Sequence, residues 1–282
     1  LDGILTLEGQ TTYSEAAAAK LNGCLVTVSS YKRDYLTLSK VNGKGASTAL
    51  NLTTNRMGTK ELSAGARFFE QVGNGRLVEI DRSDITITSI PANKITYVGY
   101  DWAGRVDKLV LNDVTGDRYD YGIIHYQPAG YQETPGNPDG NGEYKNGEIS
   151  VTNGSFPKGM PPYVVGSVDG AKTNRMGGVA GSLDQLDGKN RMAAFMPLNE
   201  ATGIRRAQFD TDAMLLTTNS MVIPISDKVE CYNKTTGDWF KPGEDGDHKA
   251  ALNLALAFSD DITVYYDRSP EEGGKVRIVV VE

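Results

Sequence analysis

The chain has 282 residues, a formal net charge of −7, 39% hydrophobic residues and 23% charged residues. A chain this long buries a normal core without a metal or disulfide staple, and the composition is that of a globular protein, neither disordered nor membrane-embedded. The acidic balance argues against a nucleic-acid partner, and two His with two Cys exclude a His/Cys zinc cluster within one module and a dense disulfide framework.

The first predicted element is a short helix. Thr12 and Glu15 have capping-box spacing, Ala16 to Lys20 are strong helix formers, and Asn22-Gly23 suits the C-terminal end. A helix of about two turns is not stable alone, so it is expected to plug a barrel or cover a sheet edge. Strands follow wherever apolar and polar residues alternate: 23–28, 35–38, 85–88, 95–98 and 119–126. Val72-Gly73-Asn74-Gly75-Arg76, Trp102-Ala103-Gly104-Arg105 and Val114-Thr115-Gly116-Asp117 read as tight turns. Alternation places Leu25, Leu36, Ile87, Val98, Leu109, Leu254, Val264 and Ile278 in the core.

Segment 128–147 has three Pro and five Gly among Asn, Asp and Glu, a composition that builds no core. It is expected to be a linker or long loop between a first β module (1–127) and a second (148–282). The most apolar stretch, Ala250 to Phe258, is far too short to span a membrane. The chain opens at Leu1 without Met or a signal-type apolar run, which suggests a removed leader or an excised fragment. Cys24 and Cys231 are far apart in sequence and read as small buried hydrophobes.

The two halves match each other in order. Leu52–Met57 aligns with Leu216–Met221 at an offset of 164, Ala66–Glu70 with Val229–Asn233 at 163, and Ile85–Ile87 with Leu252–Leu254 at 167. Ile95–Val98 aligns with Ile262–Tyr265 at 167, and Gly104–Val106 with Gly274–Val276 at 170. Loop insertions would produce that drift, so the expectation is an all-β protein of two related small barrels or sandwiches arising from an internal duplication. A separate repeat, Thr54-Asn55-Arg56-Met57-Gly58, recurs as Thr173-Asn174-Arg175-Met176-Gly177, with an echo at Asn190-Arg191-Met192. It suggests a turn-to-strand device in which Asn turns and Met packs.

The block Ile95-Thr96-Tyr97-Val98-Gly99-Tyr100-Asp101, followed by Gly104-Arg105-Val106-Asp107-Lys108-Leu109-Val110-Leu111-Asn112-Asp113-Val114-Thr115-Gly116-Asp117-Arg118-Tyr119, resembles the β-rich repetitive regions of bacterial cell-surface proteins that carry S-layer-homology anchors. Such proteins are abundant in Gram-positive gut anaerobes. The resemblance covers about a quarter of the chain, carries no catalytic signature, and includes no S-layer-homology repeat. It implies an extracellular, wall-associated protein whose modules are structural or adhesive. Its partners would be a cell-wall or surface polymer or neighbouring surface proteins.

No residue set reads as a catalytic centre. A nucleophilic triad needs a His; His125 lies in a strand and reads as a packed or edge residue, while His248 lies in the charged turn 243–248 and reads as solvated. No Gly-x-Ser-x-Gly elbow, P-loop or dinucleotide fingerprint occurs. Asp113, Asp117 and Asp120 cluster at one turn, where Asp is favoured for backbone bonding. Asp260-Asp261 and Glu271-Glu272 read likewise. The expectation is therefore a chain that is not an enzyme and holds no cofactor. The alternative is a carbohydrate-binding or glycoside-cleaving module using turn carboxylates and exposed tyrosines, which outnumber Phe by 14 to 7. It would show a cleft lined by exposed aromatics and two carboxyls. One metal pattern exists: Asn137, Asp139, Asn141, Gly142 and Glu148 hold positions 1, 3, 5, 6 and 12 of a calcium loop, without the flanking helices of an EF-hand and with Asn where Asp is the rule.

Overall fold

The computed structural model describes residues 21–32, 35–41, 45–133, 142–166, 168 and 170–282. The protein is all-β with one α-helix among the described residues. It divides into two compact units: Leu1–Gln71, Gly75–Arg82 and Thr88–Asn112 form the first, and Val72–Asn74, Ser83–Ile87 and Asp113–Glu282 the second. The expected helix at 12–22 lies mostly outside the described residues. No helix among the described residues is long and apolar enough to cross a membrane.

The first unit contains a hairpin, β1 (Val26–Lys32) with β2 (Tyr35–Lys40), and a mixed sheet. The sheet strands are β3 (Leu50–Asn51), β4 (Arg56–Met57), β5 (Lys60–Gln71), β6 (Val78–Ile80), β7 (Ser89–Ile90), β8 (Ile95–Tyr100) and β9 (Val106–Asn112). Their order is β7-β3-β4-β5-β9-β8, with β6 also on β5. Leu50, Phe68, Ile90, Ile95, Val106, Leu109 and Leu111 supply its buried side chains.

The second unit contains a barrel, a hairpin and a mixed sheet. A closed barrel is built from β10 (Asp120–Gln127), β13 (Gly147–Thr152), β14 (Tyr163–Val165), β15 (Met176–Leu186) and β16 (Lys189–Pro197), with β11 (Gly130–Glu133) and β12 (Gly142–Lys145) as a separate hairpin. Ile124, Ile149, Val151, Val165 and Val179 fill it. A mixed sheet follows: β17 (Asn199–Ile204), β18 (Phe209–Asp210), β19 (Leu215–Thr217), β20 (Val222–Asn233), β21 (Asp238–Phe240), β22 (Ile262–Tyr266) and β23 (Val276–Val281). Helix α1 (His248–Phe258) packs Leu252, Ala255 and Leu256 among the apolar side chains of this sheet, including Val279 and Val281 of β23. Ile278 and Val280 of the same strand join a different cluster with Tyr119 and Tyr121 of the barrel segment. Burial on both faces explains why β23 is an unbroken apolar run around Arg277 rather than an alternating one.

The two sheets are copies of one motif. In each, a long strand pairs in parallel with the last strand through the same irregular register: Leu62↔Val106 then Arg67↔Lys108 in the first, Ile225↔Val276 then Glu230↔Ile278 in the second. The preceding hairpins agree as well, with Ile95 opposite Leu111 and Ile262 opposite Val281. The expected equivalences Ile95 with Ile262 and Val106 with Val276 therefore hold, as does that of Ala66–Glu70 with Val229–Asn233.

Three expectations are corrected. Met57, not Leu52, is the counterpart of Leu216: Met57 pairs with Leu50 as Leu216 pairs with Phe209, and Asn55 and Met214 occupy the same positive-φ position, at φ 54° and 49°. The five-residue slip arises because Leu52-Thr53-Thr54-Asn55, which forms the β3–β4 turn, resembles Leu216-Thr217-Thr218-Asn219, which follows the equivalent turn and lies partly in β19. Leu252–Leu254 is helical, and Ile85–Ile87 is not in a strand. Finally, segment 128–147 does not divide two modules. It connects β10 and β13, adjacent antiparallel strands of one barrel, and the division into units falls at Asn112/Asp113. Each copy is an open sheet, and the barrel belongs to neither.

Asn174 shares the left-handed backbone of Asn55, at φ 64°, and leads directly into β15 at Met176. The repeated Thr-Asn-Arg-Met-Gly is thus a turn into a strand, whereas Asn190–Met192 lies within β16. Of the expected core, Leu109, Val264 and Ile278 are fully buried, Leu25, Ile87 and Val98 are half-buried, and the Leu36 side chain is outside what is described. Leu254 is 60% exposed because it sits on the outer face of α1 rather than in a strand. Truncating Ile278 to Ala is expected to cost about 2–4 kcal/mol, and Leu254 to Ala under about 1 kcal/mol. Equal losses in urea denaturation would contradict the helical placement of Leu254.

Candidate functional site

The turn carboxylates are occupied by ion pairs. Asp113 pairs with Arg268, whose guanidinium also donates to the Val114 carbonyl at 3.0 Å. Asp117 accepts from Lys275 Nζ at 2.7 Å and from Arg277 Nη1 at 2.5 Å. Arg277 is 1% exposed and also donates to Asp267 (Nε to Oδ2, 2.9 Å), to Ser226 Oγ (3.1 Å) and to the Thr115 carbonyl (2.5 Å). Its guanidinium lies 5.0 Å from the centre of the Tyr121 ring, whose hydroxyl donates to the Gly116 carbonyl. Gly116 has φ 73°, and a Cβ there would stand 2.3 Å from Asp267 Oδ2 and 2.4 Å from Arg277 Nη2, so only glycine fits. Burial opposes the charge of Asp117, but Arg277 and Lys275 outweigh it and hold the carboxyl below its usual value. A buried arginine with all its donors satisfied fastens the 113–117 turn to β23.

Beside this network lies a cavity of about 100 Å³. Asp120 and Tyr119 at the start of β10, Ser155 and Phe156 of the loop after β13, Lys228 and Glu230 of β20, and His248 of α1 line it. Each reaches it for a local reason. Asp247 caps α1, accepting from the Lys249 and Ala250 amides, which places His248 in the first turn. His248 Nδ1 is 3.1 Å from the Val229 carbonyl and 3.9 Å from Glu230 Oε1. Glu230 Oε2 accepts from the Gly154 amide at 2.9 Å. A Cβ on Gly154 would come within 2.7 Å of the Phe240 carbonyl and 2.8 Å of Glu230 Oε2, so the loop approaches β20 this closely only through glycine.

Burial pushes the Glu230 carboxyl up to about 7, with the Gly154 amide and the Ser155 side chain opposing and the charge of Asp120 adding. Asp120 is also raised by burial, partly offset by Arg118 and Lys228. His248 is lowered by burial, against the pull of the Val229 carbonyl. Two carboxyl groups with raised affinity for protons thus share one cavity with a histidine, an arrangement able to exchange a proton or to accept hydrogen bonds from a donor-rich ligand.

Asp120, expected in one turn cluster with Asp113 and Asp117, shares the cavity with both Asp117 and Glu230, and unlike Asp113 and Asp117 it makes no ion pair among the described residues. His248, expected in solvent, is half-buried. Glu230 was not singled out; its signal was a charged residue inside the otherwise apolar Val229–Tyr232 run of β20. His125 is exposed, with Nε2 3.1 Å from Thr152 Oγ1. Of the calcium pattern, Asn137, Asp139 and Asn141 lie outside the described residues, and Glu148 sits in β13 paired with Lys189. No cluster of metal-ligating residues occurs among the described residues. Cys231 is buried, with its thiol pushed up by burial; Cys24 is half-buried, and neither forms a disulfide. Trp102 is 97% exposed at the β8–β9 turn and Tyr100 is 52% exposed, but Tyr119 and Tyr121 are buried rather than displayed. No protein family, curated protein or solved structure matches the chain.

Proposed function

We propose that the chain is a non-enzymatic structural or adhesive module of an exported, wall-associated surface protein, with a cell-wall polymer or neighbouring surface proteins as partners. The observation that carries this reading is the disposition of the turn carboxylates: Asp113 and Asp117 are committed to Arg268, Lys275 and Arg277, so they serve rigidity rather than chemistry. The duplicated sheets and the resemblance of residues 95–119 to surface-protein repeats support it. The second reading, a carbohydrate-binding or glycoside-cleaving module, is favoured by the pairing of Asp120 and Glu230 in one cavity.

Cosedimentation with purified Gram-positive sacculi tests the proposal. Binding without release of reducing sugar is expected. Failure to sediment would overturn the adhesive reading, and sugar release lost in Glu230→Gln would establish the second.

A further inference from the structure

We infer that the cavity between β10, the 153–159 loop, β20 and α1 binds a small ligand bearing a protonated primary amine. Two of its carboxyls, Asp120 and Glu230, make no ion pair with a lysine or arginine among the described residues. Glu230 is 5% exposed and takes hydrogen bonds only from uncharged donors, the Gly154 amide and the Ser155 side chain. The carboxyl of the half-buried Asp120 makes no ion pair among the described residues and feels Arg118 and Lys228 only at longer range. The charged groups facing the cavity do not fill that role. On β23, Arg277 has its donors taken by Asp117, Asp267, Ser226 and Thr115. On β20, Lys228 lines the cavity but is solvent-exposed and acts on Asp120 without an ion pair. On α1, His248 spends Nδ1 on Val229 and stands beside the capping Asp247. Arg118 acts on Asp120 only at a distance.

An ammonium group donates three hydrogen bonds and carries a positive charge to the buried Glu230 and the half-buried Asp120. Tyr119 and Phe156 also line the cavity, and aromatic rings attract cations to their faces. An anion would meet Asp120 and Glu230 directly, and an apolar ligand would leave them without donors. A cavity of about 100 Å³ suits a few heavy atoms, such as the amine end of a larger molecule. Because Glu230 holds a proton up to about pH 7, binding expels that proton and strengthens as pH rises through neutrality.

The inference goes beyond the adhesive reading and is tested separately from it. Ethanolamine, ethylene glycol and acetate are titrated into the full chain by calorimetry and by carboxyl-detected NMR, at about pH 6 and pH 8 and up to about 50 mM, a range that captures millimolar affinities. Ethanolamine is expected to bind, at least about threefold more tightly at the higher pH, with heats that depend on the ionisation enthalpy of the buffer. Ethylene glycol and acetate are expected not to bind. Asp120→Asn and Glu230→Gln, both isosteric, are expected to weaken ethanolamine about tenfold or more while leaving the melting transition cooperative. The inference is overturned by absent ethanolamine binding, by equal binding of ethylene glycol, or by binding that neither variant weakens.

Discussion

Arg277→Met is expected to lower the unfolding free energy by about 3–5 kcal/mol at neutral pH, the largest single-residue effect in the chain. Arg277 is 1% exposed and holds Asp117, Asp267, Ser226 and the Thr115 carbonyl at once. Removing it leaves the buried Asp267 without its guanidinium and Asp117 held by Lys275 alone. Asp267→Asn in the same background is expected to recover part of the loss, since it deletes the buried charge that has lost its guanidinium. The exposed pair of Arg56 with Glu61 is the control, because solvent screens it; Arg56→Met should change stability by less than about 0.5 kcal/mol. A loss under about 1 kcal/mol in Arg277→Met would show that the network does not hold the turn.

The second large effect concerns pH. Glu230 has a folded value of about 7, raised by burial above the ordinary carboxylate value. A raised acid contributes stability that is fully present below the unfolded value and lost as pH rises through the folded one. Asp117 has the opposite sign: its value is lowered by Arg277 and Lys275, so its contribution is lost as pH falls through its folded value. Stability should therefore peak on the acidic side of neutrality and decline toward pH 8. Glu230→Gln keeps an acceptor for the Gly154 amide but cannot ionise. It is expected to be more stable than the parent chain by about 2–3 kcal/mol near pH 8 and nearly equal near pH 5. Chemical denaturation at the two pH values would refute this if the variant showed no gain at the higher pH.

The strand content, the duplication and the turns were legible because they are local. Period-two alternation marks β8 and β10, and left-handed positions fall on Gly104 and Gly116 at the expected turns. Helix α1 was hidden because Ala250–Phe258 is apolar on most sides, and the informative spacing of Ala251, Leu252, Ala255 and Leu256 is embedded in it. Asp247, its cap, was visible in sequence but read as part of a charged turn. The barrel was missed because its closing pairs join strands across the 128–147 segment, which composition alone marks as a linker. The cavity was missed for the same reason: Asp120, Glu230 and His248 are separated by long stretches of chain and meet only through tertiary packing.

The raised Glu230 carboxyl lies in the cavity at β20, and the turn carboxylates Asp113 and Asp117 are held in ion pairs. Residue-resolved titration of the side-chain carboxyl carbons by NMR tests that division most directly. Glu230 is expected to titrate near pH 7 and Asp117 below the usual carboxylate range. Titration of Glu230 near the ordinary carboxylate value, together with an Asp117 that is not lowered, would contradict it.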